Sequence, residues 1–376
     1  MNYYIQEANS LEADFKDRGI IIILGWYFGL GALIQSTVNS IWLAKKLGKT
    51  PYIWWGHSCL YTDKALGGNT YSRLFQAPED HVLPTLAGRT SIYPKVWEPI
   101  ASGKTIDVEI LDAQASALAS CQNLHLTSYE HDDIVASDLC IIYQYLSSDL
   151  ARSIASAQGI IISEDQYIKE CNDIFAYYFQ PQPKIKASAD AIWKEIFGNQ
   201  KSVIGMHCRG TDKVIEKAIP SPRDYLRTIQ KLIKINKSDY FFIATDSQVY
   251  LERLKHELCK LGTVGVQDIV RSQGRSALHF KPNGAFENGV AMVIDIELLC
   301  RCKVVFAFPG SQIFWWLSRK RDGEKLDFNL ISVQPSIIEW VHPAFAVLRI
   351  QGWLGLINFL RIQKSRMLSF FKAKFF

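Results

Sequence analysis

The stretch VIGMHCRGTDK, residues 203–213, gathers His207, Arg209, Asp212 and Lys213 within seven positions, directly after the β-branched pair Val203 and Ile204. This pattern predicts a buried strand whose C-terminal end opens into a polar loop, the place where an α/β sheet offers side chains to a ligand. A planar guanidinium fixed there by the scaffold suits two-point binding of phosphate. The other reading is a satisfied polar cluster at a strand-to-loop turn.

Other segments bear on that choice. In YFFIATD, 240–246, a strand ends on Thr245 and Asp246, and Asp246 either faces the same ligand or caps the helix expected over 248–261. DIELL, 295–299, puts two acids in a largely apolar helix. A buried carboxylate at Asp295 could accept from the two adjacent N–H donors of a guanine; an exposed helix acid is the alternative. FAFPGSQ, 306–312, follows with a small polar turn, where Ser311 and Gln312 open a helix and could donate to phosphate. Gly29-Leu30-Gly31-Ala32 also joins a strand to a helix, a geometry that turns backbone N–H groups toward an anion. It lacks the third glycine and the acid of a dinucleotide fingerprint, and it has no Gly-Lys-Ser/Thr of a P-loop.

The elements that must position these residues alternate in type. Strand 19–24, a glycine turn, helix 32–47 and strand 51–55 begin one Rossmann-like layer, and 66–93 reads as loop. The two prolines of 179–186 mark a linker. Beyond it come helix 188–197, strand 202–206, helix 223–235, strand 240–244, helix 248–261, helix 291–300 and strand 303–308, a second doubly wound domain. The expected division is 1–183, 184–345 and a tail, 346–376.

At 376 residues the chain exceeds a single core, and its 48% hydrophobic and 21% charged composition is that of a folded protein. A net charge of +5 is too mild for a whole-surface nucleic-acid binder. Eight cysteines are scattered with no CxxC pair, as expected of reduced thiols. The uncharged run 19–44 is interrupted by Gly25, Gly29 and Gly31 and turns polar at Gln35, Ser36, Thr37 and Asn39, so a strand and a helix are expected rather than a membrane span. With acids before it and no export signal, the expected location is cytoplasmic. From Trp340 onward there is no acid, and basic residues from Arg349 to Lys374 alternate with aromatics from Trp353 to Phe376. That pattern suits an anionic membrane surface, or else a helix packed back on the fold.

VIGMHCRGTDK, YFFIATD and DIELLCRCKVVFAFPGSQ, in this order, resemble the three peptide motifs of the α-1,6-fucosyltransferase superfamily, which includes the bacterial nodulation fucosyltransferases. GLGALIQSTVNSIWLAKKLGKTPYI resembles the glycine turn and helix of the same enzymes, so the resemblance runs from about residue 19 to 315. It implies an α/β fold of GT-B type, two Rossmann-like domains facing a cleft. It further implies GDP-L-fucose as donor, a glycan hydroxyl as acceptor, inversion at the anomeric carbon, and neither metal nor cofactor.

On the same resemblance, Arg209 holds the β-phosphate with backbone help from Gly29 and Gly31, and His207 and Asp295 recognise guanosine. Asp246 joins the donor side, with Ser311 and Gln312 at the phosphate turn. Two departures stand out: Gly210 replaces a second arginine, and Lys217 stands where the family carries a glutamate, with Glu216 one position early. Glu216 and Asp212 are therefore the candidate bases, and Lys213 would orient one of them. Trp54, Trp55, His57 and Tyr71 are candidates for the acceptor side, with core packing the expected fate of at least one of the tryptophans. Transfer of another GDP-deoxysugar, or a catalytically silent binder of nucleotide or glycan, are the alternatives.

Overall fold

The structure, a computed structural model, describes residues 19–79, 81–82, 89, 91–97, 108–113, 131–210, 219–233, 238–273 and 284–336. Asp212, Lys213 and Glu216, and the whole of the expected tail, lie outside the described residues.

By compactness the chain divides into two units. The first comprises residues 1–188, 279–294 and 318–326. The second comprises 189–278, 295–317 and 327–376.

In the first unit, β1 (Ile20–Leu24), β2 (Thr50–Trp54), β3 (Ile92–Tyr93) and β4 (Leu139–Ile142) form a parallel sheet in the order β2-β1-β4-β3. The sequence of β1, IIIIL, is buried throughout, as a central parallel strand covered on both faces requires. From β1 the chain enters α1 (Leu30–Lys46), which buries Ser36, Thr37, Asn39 and Ser40 among its apolar residues. These polar groups are accommodated by hydrogen bonds. Thr37 Oγ1 donates to the Leu33 carbonyl, and Asn39 Nδ2 donates to the Leu146 carbonyl at 2.8 Å while its Oδ1 accepts from the Tyr167 hydroxyl at 2.8 Å. The uncharged run is thus a buried strand and helix, and among the described residues no helix is long and apolar enough to cross a membrane.

The expected linker is instead a packed turn. Phe179 ends α5 (Glu164–Tyr178) at 1% exposure, residue 181 bridges Phe75, and Gln182 N–H donates to the Leu74 carbonyl. Pro183 then opens α6 (Pro183–Phe197), five residues earlier than expected, because a proline at the first helical position loses no hydrogen bond and arrives with its φ already set. Between β3 and α5 lie α3 (His131–Ala136) and α4 (Ser148–Ala157), and α2 (Thr70–Leu74) follows β2.

The second unit holds five parallel strands in the order β7-β6-β5-β8-β9. They are β5 (Val203–Cys208), β6 (Tyr240–Thr245), β7 (Thr263–Val266), β8 (Val304–Ala307) and β9 (Asn329–Ser332). Helices α7 (Pro222–Ile233) and α8 (Gln248–Leu258) cover one face, where Ile204, Met206 and Cys208 pack with Tyr225, Ile229, Leu251 and Leu254. On the other face runs α9 (Ala285–Arg301), so close to β5 that a Cβ on Gly205 would stand 2.8 Å from Cys302 Sγ and 3.0 Å from Leu299 Cδ2. Gly205 permits that approach. The last helix is α10 (Gln312–Glu324).

Candidate active site

Register brings the motifs of the second unit to one edge. His207 is paired with Ala244 of β6 and Ala307 of β8, so Arg209, Asp246 and the turn from Phe308 to Ser311 all leave the sheet at its C-terminal end. From β5 the chain adds β6 and β7 on one side, then returns to add β8 and β9 on the other. The switch of direction lies between β5 and β8, with Arg209 beyond one strand and Ser311 beyond the other, where open α/β sheets bind ligands.

Alternation along β5 sends His207 to the same face as Gly205, which is the face covered by α9. Leu299 lies against Gly205, and Asp295, four residues earlier on α9, shares its helix face one turn nearer the C-terminal edge. One helical turn is about 5.4 Å and two strand residues about 6.6 Å, so Asp295 stands level with His207. Both are partly accessible.

Their charges are set by burial. Packing around the imidazole holds His207 down at about 3, with the Arg209 cation contributing in the same direction, so the ring is neutral at physiological pH. Its Nδ1 is buried with no hydrogen-bond partner. Burial drives the Asp295 carboxyl up to about 7, opposed by the positive charge of Arg271. Arg271 was not identified from the sequence. It lies in the turn after β7, and no sequence pattern announced that short strand.

Asp246 works on the main chain. Its Oδ1 accepts from Gly210 N–H at 2.9 Å and so fixes the backbone immediately after Arg209. The cap of α8 is the neighbour, Ser247, whose hydroxyl accepts from Tyr250 N–H. Tyr225 donates its hydroxyl to the His207 carbonyl at 2.9 Å, bracing the strand end from the other face.

Gly210 has a steric reason. A Cβ there would lie 2.6 Å from Tyr250 Cδ2 and 2.7 Å from Ser247 Cβ, so the ring of Tyr250 takes the room that a second arginine would need.

At the other strand end, the Ser311 hydroxyl accepts from Ile313 N–H at 3.2 Å, an N-cap that orients the first turn of α10 toward the edge. Gln312 begins that helix. The N-terminus of this 13-residue helix, with its partial positive charge, opens at the strand end adjoining that of Arg209.

In the first unit, Gly29 N-caps α1 with no side-chain cap, and a Cβ added to it would meet nothing within 4 Å. Gly31 is buried. Between them, the Leu30 N–H donates to the Tyr61 hydroxyl at 2.9 Å. Trp55 and Tyr71 are fully buried among Phe75 and Phe179 and belong to the core, whereas His57 is exposed and Trp54 half-buried. Among the described residues no cluster of three or more His, Cys, Asp or Glu is placed to hold a metal, and the seven described cysteines are unbridged.

Residues 147–340 match the family model of nodulation protein Z, NodZ. Nodulation protein Z of Bradyrhizobium diazoefficiens is 29% identical over 161 residues, 40% of this chain; the match spans 42% of that relative's length. Among solved structures, the NodZ α-1,6-fucosyltransferase co-crystallised with GDP aligns at TM-score 0.48 and 18% identity, covering 80% of this chain and 92% of that one. POFUT1 in complex with GDP-fucose aligns at TM-score 0.50 and 11% identity, covering 85% and 98%. The latter likeness establishes the fold, the expected GT-B type.

The contact of Gly210 with Tyr250 gives a testable consequence. Gly210→Ala should lower stability by about 1–3 kcal/mol through overpacking, as read from urea midpoints. Pairing it with Tyr250→Ala should recover part of that loss, and strict additivity of the two changes would contradict the contact.

Proposed function

The chain belongs to the nodulation protein Z family, and from that membership and the polar edge of its second sheet we propose that it is an inverting, metal-independent fucosyltransferase moving L-fucose from GDP-L-fucose to a glycan hydroxyl. The observation that carries the reading is the convergence of His207 and Asp295 on one face of β5, with Arg209 and the α10 N-terminus at the adjoining strand ends. A carboxylate at Asp295 accepts from guanine N1–H and the 2-amino group, and the neutral His207 adds a ring nitrogen able to donate or accept.

The reaction joins an acceptor oxygen to the anomeric carbon as the bond from that carbon to the β-phosphate oxygen breaks. Negative charge grows on the departing diphosphate. In this reading Arg209, its backbone fixed through Gly210, the Ser311 hydroxyl and the Gln312 amide draw off that charge, and being fixed beforehand they cost no reorganisation when it appears. With Tyr250 filling the second arginine's place, one guanidinium carries this role. The proton of the acceptor hydroxyl passes to a carboxylate, for which Asp212 and Glu216 are the proposed candidates. The basic tail, 346–376, is proposed to touch an anionic membrane surface, supported by its sequence pattern alone. Binding to anionic vesicles should be lost when 363–376 are removed, and unchanged cosedimentation would end that idea.

Arg209→Ala should lower transfer from GDP-fucose by about 10²–10³-fold, with thermal unfolding near that of the parent chain. Activity within tenfold of the parent would remove Arg209 from the phosphate role. Absence of both transfer and hydrolysis in the parent chain, with GDP still bound, would favour the silent binder.

A further inference from the structure

On the transfer reaction set out above, we propose that Tyr250 is a positioning residue for the chemical step: this one side chain of α8 holds together the two ends of the segment 211–219, which carries Asp212, Lys213 and Glu216. Tyr250 lies outside all three sequence motifs. The three candidate catalytic groups lie outside the described residues, whereas Gly210 and Ile219, at the two ends, lie within them.

At the entry, Gly210 N–H donates to Asp246 Oδ1 at 2.9 Å, and the Tyr250 ring lies against the glycine, where a Cβ would come within 2.6 Å of Cδ2 and 2.9 Å of Cε2. At the exit, the Tyr250 hydroxyl donates to the Pro220 carbonyl at 3.2 Å. The chain therefore leaves and returns within the length of one tyrosine side chain. Short surface segments with adjoining ends are a form in which loops carry function.

Each end has its own anchor. Ile219 and Pro220 are buried, and Ser221 donates its N–H and its hydroxyl to Asp224 Oδ2 at 2.9 and 2.8 Å, which caps α7 and fixes the exit to that helix. Asp246 fixes the entry to the end of β6. Tyr250 joins the two anchors.

Its ring and its hydroxyl do different work. The core on this face of the sheet is filled by Tyr225, Ile229, Leu251 and Leu254, and Tyr250 packs at its margin, half-buried. The ring occupies the hollow over Gly210. The hydroxyl adds one neutral hydrogen bond, which contributes little to the stability of a whole domain but decides where the segment ends relative to where it begins. Bringing the ends together costs chain entropy, and Tyr250 has that cost met before substrate arrives. A reacting group misplaced by about 1 Å can lose on the order of 100-fold in rate, so a distant hydroxyl of this kind acts on the chemistry more than on donor binding.

Release of GDP from GDP-fucose with water as acceptor needs no identified glycan. The parent chain, Tyr250→Phe and Tyr250→Ala are compared at saturating GDP-fucose, alongside calorimetric GDP binding, thermal unfolding and tryptic cleavage of the native chains after Lys213 and Lys217. Tyr250→Phe keeps the ring over Gly210 and removes only the hydroxyl. It should lower the rate about tenfold, with GDP affinity within about twofold of the parent, an unfolding midpoint near the parent's, and faster cleavage after both lysines. Tyr250→Ala also empties the hollow beside Gly210, so it should lower the rate further and weaken GDP binding through Arg209. A residue that only stabilised the domain would lower the unfolding midpoint and leave the rate at saturating donor unchanged. A Tyr250→Phe rate within about twofold of the parent, a loss of GDP affinity as large as the loss of rate, or a Tyr250→Phe chain that does not fold each overturns the positioning role. If the parent chain binds GDP but releases none from GDP-fucose, the transfer reading falls and the role of Tyr250 with it; if the parent turns over and Tyr250→Phe matches it, the role of Tyr250 alone falls.

Discussion

The two-residue period of β5 decides what this site can be. Met206 and Cys208 face α7 and α8 and vanish into the core, while Gly205 and His207 face α9. Because Gly205 has no side chain, α9 packs against the strand at that point, and one helical turn closer to the edge Asp295 arrives level with His207. A one-residue slip would bury Arg209's neighbours on the wrong face and turn His207 toward Tyr225. The parallel register with β6 and β8 then sets Asp246 and the Ser311 turn beside the strand end.

Charge is distributed with the same economy. A neutral His207 avoids placing a second cation against Arg209, and the Asp246 carboxylate is used to fix a main-chain amide. Burial raises the Asp295 carboxyl to about 7, and the positive charge of Arg271 opposes that rise. Burial of ionisable groups at this edge costs stability that a purely structural sheet would not need to give up.

Much of this was legible in the sequence. The run IIIIL predicts a central strand by its uninterrupted β-branched character, and VIGMH predicts another; both strands lie within one residue of the N-terminal limits expected. The order of the three motifs carried the family and the GT-B fold. What escaped reading has physical causes. TVGV and NLIS are too short to show a period, so β7 and β9 went unseen, and with β7 went Arg271. The prolines at 181 and 183 mimic a linker, but the second opens a helix and the first pairs with Phe75. Helix α9 begins at Ala285, not 291, because Asn288 and Gly289 weaken its early pattern. Of the aromatics that could face a sugar, Trp55 lies in the core, the fate expected of at least one tryptophan, and so does Tyr71, since residue type alone does not tell which side of a strand end is wet. The Tyr61 hydroxyl on Leu30 N–H joins residues 31 positions apart, which no local spacing announces.

Donor binding as proposed requires a diphosphate held between the ends of β5 and β8, and a crystal structure of the chain with GDP decides it. The β-phosphate oxygens should lie within hydrogen-bond reach of the Arg209 guanidinium and the Gln312 amide at the start of α10, with the guanine edge on Asp295. A diphosphate bound elsewhere, with Arg209 turned away from it, would overturn the phosphate role of this strand end.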